Sequence, residues 1–282
     1  MDMTPEIVTA GSALLGLAVG SFLNVVIHRL PRMLERQWAD EEATQAGRPV
    51  DSSPALNLMR PRSACPQCGH RLTAWENIPV LSWLVLRGRC SACHTRISAR
   101  YPLVELATGV LFGYAAWRWG VTPAGAAWAA FAAALLALAV IDWNTTWLPD
   151  DITLPLLWGG LIAASLGWTG VPLPDALWGA VAGYLSLWCV YQGFKLVTGK
   201  EGMGFGDFKL FAALGAWFGW QALIPVILLA CITGAAVGIT MKFRGRLRQD
   251  GSIPFGPFLA LAGFAALLCG TQRFWQVMGL WL

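Results

Sequence analysis

Charged residues are scarce in this chain of 282 residues: Asp, Glu, Lys and Arg make up 13% of it, while hydrophobic residues reach 56%. Ordinary soluble domains carry about a quarter charged residues. So much apolar surface has no solution in a single water-soluble globule, so part of the solvent must be lipid. The same shortage excludes a disordered chain, a nucleic-acid binder and a small secreted disulfide scaffold. Low-complexity tracts and clear tandem repeats are missing as well. So is a Gly-rich βαβ pattern, the usual cradle for a nucleotide-like cofactor.

What is present in quantity is uncharged apolar sequence, in stretches near the roughly 20 residues that cross the hydrocarbon as a helix. They are Ile7–Ile27, Tyr101–Trp117 (with Glu105 inside), Val121–Ile141, Ile152–Trp168 and Ala176–Phe194. Leu210–Met241 follows, too long for one helix and divisible at Gly219-Trp220-Gln221, and a last stretch lies between Ile253 and Gln272. The expected fold is an all-α polytopic membrane protein of about eight transmembrane helices, with a small cytoplasmic domain inserted after the first.

Basic residues choose the sides. Residues 29–100 hold 11 of the 20 Lys+Arg. Lys195, Lys200, Lys209, Lys242, Arg244, Arg246 and Arg248 fall on the same side of an eight-span arrangement, and only Arg118 and Arg273 on the other. The expected topology has a cytoplasmic 29–100 segment and both termini outside. Asp2 and Glu6 precede the first apolar run while His28, Arg29 and Arg32 follow it, which suits a retained anchor rather than a cleaved signal.

Within that segment, residues 35–57 read as a solvated loop or short helix. Then come Cys65-Pro-Gln-Cys68-Gly-His70 and Cys90-Ser-Ala-Cys93-His94. Two C-x2-C pairs supply four thiolates on tight turns, the donor set of one structural tetrahedral zinc. A redox dithiol and structural disulfides are the competing readings, and a cytoplasmic location disfavours stable disulfides. Four cysteine ligands leave no open position for a catalytic water. His70 and His94 are expected as polar neighbours of the metal; Cys189, Cys231 and Cys269 as small packing groups in spans.

Acidic groups near spans are few, so their places inform. Asp142 ends the third span, Asp150 and Asp151 open the fourth, and Asp207 follows Gly204-Phe-Gly206 at the start of the short sixth. All four fall at one membrane face. Two carboxylates sharing a site hold one proton between them, can deprotonate a water for attack on a peptide carbonyl and can protonate the leaving amine. Helix capping is the competing account. It fits Asp150 or Asp151 and could serve Asp207, though the Gly-x-Gly before that residue needs a further reason. It does not fit Asp142, whose charge opposes the dipole of the helix it ends. The pair Asp142/Asp207 is therefore the candidate catalytic dyad. Candidate substrate contacts are Asp150, Asp151, Gly204, Gly206, Lys209 and Glu105. Glu105 has a bland alternative, snorkelling or pairing with Arg100, and Lys209 an alternative in Asp207 or lipid phosphate. Ser21 and Asn24 read as helix-packing polar groups.

Gly204-Phe-Gly-Asp-Phe-Lys209 resembles the G-x-G-D-x-K signature of the type IV prepilin peptidases. The resemblance extends through Gly20-Ser-Phe-Leu-Asn-Val-Val-Ile-His-Arg-Leu-Pro31, both cysteine pairs, Glu76-Asn-Ile-Pro-Val-Leu-Ser-Trp83, Ser98-Ala-Arg-Tyr-Pro-Leu-Val-Glu105, Asp142 and Leu148-Pro-Asp150. It covers almost the whole chain in order.

The resemblance implies a bacterial inner-membrane aspartic endopeptidase. Such an enzyme removes the basic leader of type IV prepilins and type II secretion pseudopilins after a glycine, at the cytoplasmic face. It then N-methylates the new N-terminal residue from S-adenosylmethionine. It also implies that Asp142 and Asp207 are catalytic and that the cysteine-bearing domain marks the bifunctional branch. The expected organisation is a first transmembrane helix over 1–28, a cytoplasmic zinc-binding domain over 29–100, and a transmembrane aspartic peptidase domain over 101–282. The methyl-donor site has no assignable residues. The alternatives are a non-enzymatic membrane assembly factor or transporter with a structural zinc lobe, and a peptidase that has lost methyl transfer.

Overall fold

The computed structural model describes residues 5–50, 56–245 and 253–277. The structured segments among them are helical apart from two isolated β-bridges, Ala64 to Arg71 and Arg89 to Arg96. Part of the expected 35–57 loop, Arg246, Arg248 and the C-terminal tail from 278 onward lie outside the described residues. By contacts, the chain divides into two compact units, 1–129 and 130–282.

The first unit is built on α1 (Pro5–Gln45) and α3 (Arg100–Trp119), which pack along each other. Small residues let the backbones meet: a Cβ on Gly20 would lie 2.7 Å from the Glu105 Cα. The buried positions of α1, among them Gly16, Gly20, Leu23, Asn24, Ile27 and Leu30, recur at the three-to-four spacing of one helix face. Asn24 does serve that packing, donating from Nδ2 to the Tyr101 carbonyl at 3.0 Å. The helix does not end near His28 as expected. It runs on through Pro31 to Gln45, so the short helix anticipated after residue 35 is a continuation of α1. Between α1 and α3 lies a lobe holding the cysteines, a 3-10 turn at Trp75–Asn77 and the short α2 (Leu81–Val85).

Most of α4 (Pro123–Thr145) belongs to the second unit, with α5 (Asp150–Ser165), α6 (Leu173–Thr198), α7 (Phe205–Phe218), α8 (Leu223–Phe243), α9 (Gly256–Cys269) and α10 (Thr271–Val277). α7 is the centre of this unit. It is buried continuously from Asp207 to Phe218 except at Lys209, and it packs against α5, α6 and α9. Gly179 of α6 and Gly215 of α7 face each other so closely that neither has room for a Cβ. At 14 residues, α7 is about 21 Å long. The turn expected at Gly219-Trp220-Gln221 is present: Gly219 takes a φ of 81°, and a 3-10 turn leads into α8.

Among the described residues, four helices are long and apolar enough to cross a membrane: α1, α4, α6 and the stretch Trp220–Phe243. The other expected spans coincide with helices α3, α5, α7 and α9, which are shorter or less apolar. Large apolar side chains stay exposed on the helices, among them Leu14, Val110, Trp158, Trp178, Val190 and Ile232. A helix surface of that kind suits lipid.

Candidate active site and metal cluster

The two candidate aspartates come from different helices of the second unit. Asp142 lies in the last turn of α4, where the exposed carbonyls make a negative charge costly. Its relief comes from another helix: Oδ2 accepts from the backbone N–H of Gly256 at 2.9 Å. Gly256 is the first residue of α9, so that N–H is one of the donors the helix leaves free. Asp142 thus ends α4 and satisfies the start of α9 in one contact.

Asp207 is the third residue of α7, and its carboxylate lies back over the Gly204 backbone at the helix N-terminus. Both aspartates are buried, at 4% and 8% exposure, and they lie within electrostatic reach of each other. Leu148 fills the corner between them. A Cβ on Gly206 would meet the Leu148 Cβ at 2.7 Å, and one on Gly256 would meet Asp142 Oδ2 at 2.6 Å and Leu148 Cδ2 at 3.1 Å. Gly204 differs: it is exposed, and a Cβ there would find Asp207 Oδ2 at 3.9 Å. The two glycines of the Gly204-Phe-Gly206 turn therefore do separate jobs, an open approach at Gly204 and close packing at Gly206.

Asp150 and Asp151 occupy the first two positions of α5, behind Pro149 at the cap position, and both are exposed. Asp150 does not cap the helix; its carboxylate receives the Lys209 ammonium at 2.7 and 2.6 Å. Lys209 therefore turns to Asp150 rather than to Asp207. Gly256 and Leu148 were not among the expected residues as a pair of wall and donor. The signal for the first was Pro254-Phe-Gly-Pro257, a glycine just ahead of a proline at a helix start.

The cysteines form a second cluster, in the first unit. The four Sγ atoms of Cys65, Cys68, Cys90 and Cys93 all lie within 4.8 Å of one another. Cys65 and Cys93 are 3.8 Å apart, Cys68 and Cys90 3.9 Å. Zinc–sulfur bonds of about 2.3 Å set tetrahedral edges of about 3.8 Å, whereas a disulfide needs about 2.05 Å. The cysteines are free, and the donor set fits zinc.

Each pair sits on the same turn. Gly69 N–H donates to the Cys65 carbonyl and His94 N–H to that of Cys90, with Gly69 at φ 72° and His94 at φ 56°. Four crowded thiols compete for protons. The Thr95 hydroxyl and N–H hold Cys93 down at about 6. Against the His70 backbone N–H, burial among the other sulfurs pushes Cys68 up to about 12. A cation between the sulfurs removes that competition.

Glu76 ties the two turns together. It accepts from the Ser91 hydroxyl between Cys90 and Cys93, from the Thr73 N–H at 2.7 Å, from the Thr73 hydroxyl at 2.9 Å, and meets His70 Nε2 at 3.2 Å. These donors, Ser91 first and then Thr73, hold its carboxyl down at about 2. His70 is thus a polar neighbour of the cluster, as expected. Cys189, Cys231 and Cys269 are exposed on α6, α8 and α9, so they do not pack inside the protein. Glu105 neither snorkels nor pairs with Arg100: it is buried, and its Oε2 accepts the Val80 N–H at 2.7 Å.

Two family models match the chain: the bacterial peptidase A24 N-terminal domain over residues 14–119, and the type IV leader peptidase family over 129–239. Relatives named prepilin leader peptidase/N-methyltransferase are similar along nearly the whole length. One from Burkholderia pseudomallei is 56% identical over 275 residues, 96% of this chain and 88% of the relative. One from Pseudomonas aeruginosa is 55% identical, covering 92% and 89%. One from Aeromonas hydrophila is also 55% identical, covering 92% and 90%. No solved structure matches the chain significantly.

Proposed function

Because the chain belongs to the type IV leader peptidase family, we propose that Asp142 and Asp207 are the catalytic pair with which it cleaves the leader from prepilins. It is a leader peptidase and N-methyltransferase of that family. The observation that carries the dyad is the meeting of two buried carboxylates, from the end of α4 and the start of α7, around Leu148.

Two close carboxylates share one proton. One oxygen of Asp142 is fixed by the Gly256 N–H, which sets the orientation of that carboxyl. Asp207 sits in the first turn of α7, where the helix N-terminus favours negative charge. A water held between them is deprotonated by the ionised member as it attacks the scissile carbonyl. The protonated member then gives its proton to the leaving nitrogen. The pair titrates as a unit, so neither residue owns one role. The open face at Gly204 admits the extended substrate chain beside Asp207. Asp151, Asp150 and Glu105 remain proposed contacts for the basic leader, with Asp150 already engaged by Lys209.

Cys65, Cys68, Cys90 and Cys93 would hold one zinc ion, whose chemistry here is to bind the two turns of the lobe together. S-adenosylmethionine is the proposed methyl donor. Type II secretion pseudopilins are proposed as further substrates. The proposed placement is a bacterial inner membrane, with lobe and dyad at the cytoplasmic face and both termini periplasmic. The charge distribution of the loops supports it.

The test is cleavage of a membrane-embedded prepilin by wild type, Asp142→Asn, Asp207→Asn and Asp150→Asn, each checked for expression and metal content. The first two should lose cleavage by at least about 1,000-fold, a scale set by loss of an essential acid or base, while Asp150→Asn keeps most of it at saturating prepilin. Normal cutting by Asp142→Asn or Asp207→Asn would overturn the dyad.

A further inference from the structure

Three of the sequence segments that the peptidase chemistry leaves unused converge at one place in the first unit. Ser21 and Asn24 come from Gly20–Pro31, Val80 from Glu76–Trp83, and Tyr101 and Glu105 from Ser98–Glu105. The Glu105 carboxylate receives the Val80 N–H at 2.7 Å and the Ser21 hydroxyl. Val80 itself is bent into a three-residue turn, with φ 60° and ψ −49° and Leu81 N–H bonded to the Pro79 carbonyl at 2.5 Å. A β-branched residue at positive φ is an outlier that the surroundings must enforce. Here the enforcing group is a buried carboxylate on a helix paired with α1.

The level of this clasp along α1 is what matters. Ile7–Ile27 carries no charge, and His28 is the first ionisable residue after it. Ser21 lies seven residues before His28 on one continuous helix, about 10 Å along its axis. The Ser21 side chain also tilts toward the N-terminus of α1, away from His28. The Val80 turn is therefore held well inside the uncharged stretch, and not beyond its charged end.

From that turn α2 starts, and it has two unlike faces. Trp83 points into the lobe, where its indole N–H donates to the Ile97 carbonyl at 3.3 Å and its ring lies against Gly88. Leu81, Leu84 and Val85, at positions one, four and five, share the other face and are 54%, 58% and 73% exposed. Immediately after them come Arg87 and Arg89, both exposed. Apolar side chains followed at once by guanidinium groups match acyl chains capped by anionic headgroups.

We propose that α2 is a membrane wedge: Leu81, Leu84 and Val85 insert among lipid acyl chains at the cytoplasmic boundary, and the Glu105–Val80 clasp sets their depth. The partner is the lipid bilayer itself. The proposal rests on α1 as a membrane span and is independent of which residues cut the leader. It assigns Glu105 to positioning the lobe against the membrane, beside the leader contact suggested above for the same residue.

The test uses the full-length protein in vesicles of phosphatidylethanolamine and phosphatidylglycerol, with prepilin present. Leu84 is replaced by the photo-crosslinking residue p-benzoylphenylalanine, with the same replacement at Leu14 in the uncharged stretch and at Trp38 on the far end of α1 as references. Metal content is measured in every sample to show that it is folded, and cleavage in those that retain Glu105. Phospholipid adducts at position 84 should come within about threefold of those at 14 and exceed those at 38 at least tenfold. Glu105→Ala should lower the adduct at 84 at least threefold, whereas Glu105→Gln, which keeps an acceptor for the Val80 N–H, should preserve it. The wedge is overturned if position 84 behaves like 38, if it crosslinks to prepilin or to a second copy in place of lipid, or if Glu105→Ala leaves the adduct unchanged. Absence of lipid at 14 would remove the premise and the wedge with it, while cleavage in the same vesicles reports on the peptidase reading separately.

Discussion

Lys209 places its ammonium 2.7 and 2.6 Å from the two carboxylate oxygens of Asp150, joining the start of α5 to α7 two residues beyond Asp207. The Asp150 carboxylate is 53% exposed, so the pair contributes little to stability, within about 1 kcal/mol. Its effect is on the local charge. Asp150→Asn leaves an unneutralised ammonium beside the proposed dyad, where a basic leader would have to approach. KM for prepilin should rise about 3- to 10-fold with kcat retained, and Lys209→Met in the same background should bring KM back down. A fall in kcat at unchanged KM would move the pair into the chemical step.

The glycines of the site separate into two kinds. Gly256→Ala would press a methyl group onto the buried Asp142 Oδ2 and the half-buried Leu148. Overpacking of this sort costs about 1–3 kcal/mol, and here it also displaces the carboxylate. Cleavage should drop at least about 100-fold while the protein still accumulates in membranes, a loss of the size that follows from misplacing a reacting group. Gly204→Ala, with 3.9 Å to its nearest neighbour, should stay within a few-fold of wild type. An equally large loss at Gly204→Ala would show that the substrate chain packs against Gly204 too closely to admit a methyl group.

Local pattern carried a large part of this fold. Uncharged runs marked where helices lie, because crossing lipid leaves few other choices for a backbone. The turn at Gly219 was legible because a 32-residue apolar run cannot be one span of a bilayer. The cysteine cluster was legible because a tight turn fixes its own sulfurs. Long-range partners were not. Nothing near Asp142 in sequence signals Gly256, 114 residues away. The Lys209–Asp150 pair spans 59 residues, and a lysine has other carboxylates within reach of any sequence argument. Glu105 looked like a snorkelling acid because its true partner is a backbone N–H in an unusual turn, which side-chain chemistry does not announce. The extension of α1 beyond the uncharged run was not legible for a simpler reason: a helix continues in water when its residues permit it, and Pro31 removes only one hydrogen bond.

Acid should loosen the cysteine lobe through Glu76. Its pKa is about 2 in the fold, below the ordinary carboxyl value of 4.5 that an unfolded chain restores. Such a group stabilises the folded state fully above about pH 4.5, and the contribution disappears as pH falls toward 2. Thermal unfolding of wild type against Glu76→Gln should therefore show a constant gap between pH 5 and 8 that closes between pH 4.5 and 2. A gap unchanged down to pH 2.5 would mean that the charge of Glu76 is irrelevant and only its shape counts.

Metal removal gives the sharpest reading of the four thiols. One divalent ion per chain is expected from a single cluster of four sulfurs. Cadmium exchanged into the protein should produce thiolate-to-metal absorption in the ultraviolet, since all four ligands are sulfur. Cys90→Ser, at one of the two most buried ligands, should abolish tight binding, because a hydroxyl is neither deprotonated nor soft enough to replace a thiolate. Cys189→Ser, Cys231→Ser and Cys269→Ser, on exposed positions of α6, α8 and α9, should keep the full metal content. Chelation should also expose the 56–99 segment to protease, because the two isolated bridges each stay within one turn and the link between the turns is then left to hydrogen bonds such as Ser91 to Glu76. If the chelated lobe resists protease as the native one does, those hydrogen bonds suffice and the metal has a role other than folding.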